Sequence, residues 1–456
     1  VDLYPFQVTG ANWLAERETA LLADAMGCGK SAQAIVACDT IRAKNILLIV
    51  PGIARANWER EINQWSIYRR SIGIVSSTAK GVPDTEVVIV SYSILSSVDV
   101  LKKLLKRQWD VLICDEAHYL KNRQAVRTKC VYGGKCDRTK GLAAQAKRVW
   151  LLTGTPIPNN LAEIWPHARA LFPQAAMGYE KYFSWVDHFC VVNDTYGTKV
   201  VANKNVEDFV KRMKPYTLRR RLEDVMPEMP EIRFAQVVVE PEALPPKSQE
   251  MKDAEAVVKT AIAQRLQEDG REGELTEEDL RAIEYSAGMH MASVRKWTGV
   301  AKAHAVAQLV KEDFTSGMDK VVIFALHREV FKILLELLPG SKAIHGGTPM
   351  AERDRLIDMF QGRIAGEKLD ILLVHIDIGS TALTLTASCN VVFAETTWVP
   401  KDVQQAAKRC HRIGQTRPVL ARIVSLRDSI DESVGSVLTR KSASISRVEN
   451  ALTTGV

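Results

Sequence analysis

No apolar run in this 456-residue chain approaches the ~20 residues that a helix needs to cross a bilayer, which excludes a helical membrane span. The N-terminus lacks the charged and apolar pattern of a signal peptide. Tandem repeats and low-complexity tracts are also missing, so a repeat array does not account for the length. The eight cysteines are scattered, at 28, 38, 114, 130, 136, 190, 389 and 410. Cys130 and Cys136 have no His or Cys pair nearby to complete the four ligands of a structural zinc site. All eight are read as reduced thiols of a cytosolic compartment. A strong charge of one sign is lacking too. The net charge of +7 and pI near 8.9 are compatible with nucleic acid but too mild to establish it. What is present, 46% hydrophobic and 25% charged residues, is the make-up of an ordinary globular protein of two or three domains.

The most informative segment is Leu21-Leu22-Ala23-Asp24-Ala25-Met26-Gly27-Cys28-Gly29-Lys30-Ser31. An apolar run enters a glycine turn, and the turn ends in Lys-Ser at the start of a predicted helix. Such a turn cradles phosphate, because backbone N–H groups and the helix N-terminus point at the anion. Met26, Gly27, Cys28 and Gly29 form the cradle, Lys30 would neutralise the terminal phosphates, and the Ser31 hydroxyl would ligate Mg²⁺. The strict phosphate-loop pattern fails at one place: Asp24 stands where its first glycine belongs.

Downstream, Val111-Leu112-Ile113-Cys114 reads as a buried parallel strand ending in Asp115-Glu116-Ala117-His118. Open α/β sheets bind ligands at strand C-termini. Asp115 would hold Mg²⁺, and Glu116 would orient and deprotonate the attacking water. An isolated Asp-Glu pair is equally the solvated start of a helix; the Lys-Ser turn upstream favours the catalytic reading. Leu151-Leu152-Thr153-Gly154-Thr155-Pro156 runs from a strand into a turn whose hydroxyls can sense a nucleotide. Near the end, Gln405 to Gln415 sets Arg409 and Arg412 three apart, on one face of a predicted helix. Guanidinium groups there can reach a γ-phosphate from a second lobe, and a purely structural arginine pair is the alternative.

In this order the motifs resemble those of the Swi/Snf-type ATPases of helicase superfamily two, along nearly the whole chain. Leu3-Tyr4-Pro5-Phe6-Gln7 is similar to the family's entry motif, which implies Gln7 as the adenine contact. An acidic residue at the place of Asp24 is a family trait. Ile49-Val50-Pro51, Asn57-Trp58-Glu59-Arg60-Glu61 and Val88-Ile89-Val90-Ser91-Tyr92-Ser93 resemble further motifs. So do Val321-Val322-Ile323-Phe324 and His345-Gly346-Gly347-Thr348, while Leu218 to Val225 with Met229-Pro230 resembles a signature linking the lobes. Val392-Phe393-Ala394-Glu395, Trp398 and His411-Arg412-Ile413-Gly414-Gln415 are most similar to the annealing-helicase (HARP-like) branch. The chain departs from the family at Lys408, usually acidic, at Val399, usually Asn, and in Gly379 to Thr384, which lacks the glycine-rich form. These departures bear on the coupling of hydrolysis to movement.

The resemblance implies ATP and Mg²⁺ as cofactors and translocation along one strand of double-stranded or branched DNA. The contacts would be to the backbone, without sequence preference. The protein is expected to be monomeric when free and, with no apolar span or signal-peptide pattern, to have no membrane association and to be cytoplasmic or nucleoid-associated. Arg55, Trp58, Ser91, Lys121, Asn122, Thr381 and Trp398 match or adjoin motifs that face DNA in the family. Trp58 and Trp398 are equally readable as core aromatics. An RNA-directed helicase, and a DNA-binding module that uses ATP only as a switch, are the alternative functions.

The fold class expected is α/β, two tandem RecA-like lobes with a helical insertion between them. Lobe one is expected over residues 1–235, the insertion over 236–296 and lobe two over 297–456. In lobe two, strands are predicted at 321–325, 371–375 and 391–395 and helices at 328–338 and 402–410. Charge is unevenly spread: residues 120–148 carry nine Lys or Arg against one acidic residue, Asp137. That stretch is either a solvated basic loop or a phosphate-backbone contact. Residues 240–284 reverse the balance, with 13 acidic and six basic residues, and their helical periodicity suits a scaffold.

Overall fold

Short runs of consecutive apolar residues become strands covered on both faces, as parallel sheets require. In the computed structural model, Ile46–Val50 (β2) and Val87–Ser91 (β4) are buried at every position. The structure describes residues 2–77, 81–154, 156–157, 160–193, 199–241, 244–268, 277–379, 383–442 and 453. Two compact units part between Glu228 and Met229.

The first unit is built on β1 (Thr19–Leu22), β2, β3 (Ile72–Ile74), β4, β5 (Trp109–Asp115), β6 (Ala146–Leu152) and β9 (Thr217–Leu218). Their order is β3-β4-β2-β5-β6-β1-β9, and every pairing is parallel. β7 (Cys190–Asn193) and β8 (Lys199–Asn203) form a separate antiparallel pair. The motif-bearing chain ends after β1, β5 and β6 therefore emerge side by side at one edge of the sheet. Three helices matter to the site: α1 (Pro5–Ala15), α2 (Lys30–Thr40) and α3 (Arg55–Trp65). Pro5 opens α1, and the Gln7 side chain reaches back to accept the Tyr4 N–H at 3.0 Å, a capping contact that fixes the helix start.

The second unit carries β10 (Ile232–Val239), β11 (Val321–Ala325), β12 (Lys342–Ile344), β13 (Ile371–His375), β14 (Asn390–Phe393) and β15 (Val419–Leu426). They form a second all-parallel sheet in the order β10-β15-β14-β11-β13-β12. β10 pairs with β15 over its whole length, from Ile232↔Val419 to Val239↔Leu426. The boundary expected at 235 thus falls inside a strand of the second sheet, and residues 229–235 belong with that sheet. Helices Gln249–Glu268 and Glu277–Thr315 occupy the expected insertion, and the latter runs on well past residue 296. It is anchored to the sheet by Lys302. That buried ammonium donates to the Val424 carbonyl at 2.5 Å and to Asp431 Oδ2 at 2.6 Å. Thr276, which opens a capping-box spacing with Asp279 in the sequence, lies outside the described residues.

Candidate active site

The turn between β1 and α2 wraps around the α2 N-terminus. Gly27 and Gly29 hold positive φ, 91° and 71°, which side chains disfavour. A Cβ on Gly29 would lie 2.3 Å from Gln7 Nε2, so the turn and α1 touch at a point only glycine allows. Gln7 is buried there and donates to the Cys28 carbonyl at 3.2 Å. Cys28 is buried too, Met26 is half-buried, and Ser31 sits one residue inside α2. Lys30 Nζ donates to the carbonyls of Asp24 at 2.8 Å and Ala25 at 3.2 Å. Burial lowers the Lys30 pKa, and the charges of Glu116, Asp24 and Asp115, with Cys28, oppose that shift. The sheet therefore brings the turn lysine and the strand-end carboxylates into one field.

Asp115 ends β5. Burial, then the neighbouring Glu116 charge, pushes its pKa up to about 6, while hydrogen bonds and Lys30 pull the other way. Trp58 Nε1 donates to Oδ2 at 2.8 Å, the Glu116 N–H donates to Oδ1 at 3.0 Å, and Tyr92 OH donates to the Asp115 carbonyl at 2.8 Å. The carboxylate is aimed, not free to rotate. Glu116 has φ 50°, a left-handed conformation sparsely populated outside glycine and a recurrent feature of functional turns. Its Oε2 lies 3.2 Å from His118 Nδ1, and the same nitrogen lies 3.4 Å from Thr153 Oγ1. His118 thus links the carboxylates to the turn after β6. There, a Cβ on Gly154 would lie 2.7 Å from Met26 Cγ and 3.5 Å from Lys30 Nζ, which packs this turn against the phosphate loop. Thr155 lies outside the described residues.

Residues 6–267 match the SNF2-related domain, and residues 301–414 match the helicase conserved C-terminal domain. The chain belongs to the SNF2-related ATPases. This SNF2-related ATPase is 28% identical over 453 residues to the SWI/SNF-related matrix-associated actin-dependent regulator of chromatin subfamily A-like protein 1 of Xenopus tropicalis. The match takes in 96% of this chain and 44% of that protein. It is also 28% identical over 459 residues to the DNA annealing helicase and endonuclease ZRANB3 of Mus musculus, across 96% of this chain and 40% of that protein. The chain thus spans less than half the length of these relatives. Among solved structures, the Sulfolobus solfataricus SWI2/SNF2 ATPase core in complex with dsDNA aligns at a TM-score of 0.45 and 21% identity, over 97% of this chain and 92% of that one.

Several expectations need correction in this SNF2-related ATPase. Arg409 and Arg412 do not share a helix face. The helix Pro400–Ala407 stops before them, and both lie in the turns that follow. The Arg409 N–H donates to Ala406 O in a tight turn, and its carbonyl accepts the Leu385 N–H, which diverts it from helical bonding. Arg409 is buried, and Arg412 Nη1 donates to Thr384 Oγ1 at 3.1 Å. Trp58, Ser91 and Trp398 are 1%, 1% and 2% exposed, so none presents its side chain to a nucleic acid. Trp58 instead aims Asp115, and Ser91 Oγ sits 3.0 Å from Ser93 Oγ. Arg55 donates to the Gly52 and Val75 carbonyls at 2.9 and 2.8 Å, bracing a turn. Lys121 pairs with Glu163 at 2.9 Å, and Asn122 is exposed. Thr381 lies outside the described residues. The basic stretch 120–148 is not a loop throughout. It holds the helix Val126–Tyr132 and buries Thr128, Tyr132, Cys136 and Leu142, leaving Arg127, Lys129, Lys135, Lys140 and Lys147 exposed.

Sequence reasoning placed Tyr92, Arg219 and Arg220 inside family-like motifs but gave none of them a role at the site. Arg219 Nη1 donates to the Ala23 carbonyl at 2.9 Å, behind the phosphate loop. The run of three arginines was the available signal.

Proposed function

We propose that this chain hydrolyses ATP to drive movement along duplex DNA. The observation that carries the reading is the convergence of Lys30, Asp115 and Glu116 beyond the ends of β1 and β5, the two strands that flank β6, in a chain of the SNF2-related family. Lys30 holds the terminal phosphates, and its present carbonyl partners at Asp24 and Ala25 give way to them. Glu116 takes a proton from the attacking water, with His118 steadying its carboxylate. The hydroxyl of Ser31 and the carboxylate of Asp115 form an all-oxygen donor set, which suits Mg²⁺. When bound, the ion neutralises charge on the β- and γ-phosphates. Gln7 serves the adenine end, and of the two arginines of the second unit Arg412 is the one kept for the transferring phosphoryl, since Arg409 is buried.

DNA is favoured as the track by the positive balance of the chain, by the exposed lysines and arginines of residues 120–148 and by the DNA annealing helicase among the relatives. Backbone contacts of this kind, including those of Lys121 and Asn122, need no sequence preference.

The test is ATP turnover with duplex DNA, branched DNA, single strands and RNA, followed by displacement of a triplex strand. Duplex or branched DNA is expected to stimulate turnover most and to support displacement. Stimulation by RNA alone would make this an RNA-directed enzyme, and stimulation without displacement an ATP switch. In the same assay, Lys30→Ala is expected to abolish both binding and turnover, whereas Glu116→Gln still binds ATP and turns it over poorly. Near-normal turnover in Glu116→Gln would remove that residue from its role.

A further inference from the structure

Asp24 is fully buried where phosphate loops ordinarily carry glycine, and its carboxylate has one dominant partner. Arg220 Nη2 donates to Oδ2 at 2.5 Å, Arg220 Nε to Oδ1 at 3.0 Å, and the Arg220 backbone N–H to Oδ1 at 3.0 Å. This is a two-pronged fork between planar groups, the geometry only arginine supplies. The remaining guanidinium hydrogens reach Phe6 O in α1 at 2.5 Å and Gln33 Oε1 in α2 at 2.9 Å. Gln33 closes the network by donating to Asp24 Oδ2 at 3.2 Å and to the Cys28 carbonyl at 3.1 Å. The loop backbone follows the same partner, with the Ala25 N–H donating to Arg220 O at 2.9 Å.

A second observation shows that the fold makes room for this network. Gly10 sits inside α1, where glycine weakens a helix. A Cβ there would lie 1.8 Å from Gln33 Oε1 and 2.7 Å from Arg220 Nη2. A side chain at position 10 would have to push the Gln33 amide aside and crowd the Arg220 guanidinium.

We propose that Arg220, held by Asp24, is a positioning residue for the phosphate loop, fixing its height above α2 and tying it to the segment through which the chain leaves the first unit. The inference rests on reading the loop as the cradle of ATP. It explains the failed glycine pattern physically. A loop set from outside by a buried ion pair has its shape governed by the chain just ahead of Glu228, not by its own glycines alone.

The test uses the full chain and a non-hydrolysable ATP analogue. Its Kd is measured beside KM and kcat for ATP with duplex DNA, at a temperature where each variant is shown folded by circular dichroism. Asp24→Asn and Arg220→Lys are expected to raise Kd and KM by about tenfold with a smaller fall in kcat, and the double variant should be no worse than the weaker single one. Gly10→Ala keeps both charges and improves helix propensity, so a merely structural pair predicts normal affinity. Here Kd is expected to rise by about threefold or more as the methyl displaces the Gln33 amide and crowds the guanidinium it bonds. Should Asp24→Asn or Arg220→Lys fail to fold, Gly10→Ala alone decides. Wild-type Kd and KM in the folded variants would overturn the positioning role while Lys30→Ala still loses the analogue. A wild-type protein that itself fails to bind the analogue would overturn the ATP reading as well.

Discussion

Asp115, proposed above to hold Mg²⁺, illustrates what keeps a buried carboxylate charged and aimed. Burial and the Glu116 charge push its pKa up, to about 6 with its partners in place, so without them the group would lose charge and orientation. Trp58 counters both tendencies, since its indole N–H favours the charged carboxylate and fixes one oxygen. Trp58→Phe fills nearly the same space without the donor. It is expected to raise the Mg²⁺ concentration for half-maximal turnover by about tenfold, with melting temperature little changed. A metal titration of ATPase activity checks this; an unchanged midpoint would make Trp58 a packing residue only. Lys30, Asp115 and Glu116 were legible because each sits in a contiguous motif with a local chemical logic. The Trp58 contact joins positions 57 apart and that of Arg220 joins positions 196 apart, and no local pattern announces such pairs. The sequence therefore left Trp58 readable as a DNA-facing or a core residue, without its partner Asp115.

Two short elements of the first unit meet through a polar pair in an apolar setting. Tyr132, at the end of the helix Val126–Tyr132, lies with its hydroxyl 2.7 Å from Nδ1 of His167, in the helix Trp165–Leu171. Burial, and then the nearby His118, lowers the His167 pKa to about 3, so the ring stays neutral where an unfolded histidine takes up a proton. The unfolded chain thus binds the extra proton between about pH 6.5 and 3, and stability present above that window is lost as pH falls through it. At pH 5 the loss from this group is about 2 kcal/mol. Thermal melting of His167→Gln, which keeps a hydrogen-bonding side chain, is expected to fall less steeply from pH 7 to pH 5 than wild type. Equal slopes would place the acid sensitivity elsewhere. Among elements, buried strands such as 321–325 were readable from apolar runs. The end of the helix before Arg409 was not, because the Leu385 N–H that takes the Arg409 carbonyl comes from a distant turn. The limit at residue 235 fell inside β10 for a related reason: Ile232–Val239 has the composition of a strand in either sheet.

At the scale of the whole molecule, two all-parallel sheets carry complementary parts of the motif set. The first holds the phosphate loop and the carboxylates, the second the arginine turns. Arg412→Ala is expected to reduce turnover by about a thousandfold while affinity for an ATP analogue stays near that of wild type. Single-turnover kinetics beside equilibrium binding measure the two separately; loss of folding in place of loss of rate would return Arg412 to a structural role. The α/β class and the pair of lobes were evident from alternating strand and helix patterns, because that alternation is a local property of sequence. Edge strands were less so, as two residues suffice for β9. That small strand has a consequence for biosynthesis. Leu21 and Leu22 pair with Thr217 and Leu218, and the Ala23 N–H donates to Leu218 O at 2.7 Å. A nascent chain exposes its lysine turn early on the ribosome, yet the strand that shapes that turn emerges only after nearly all of the first unit has been made. The sheet around that turn is therefore completed only when the last segment of the first unit is available to pair.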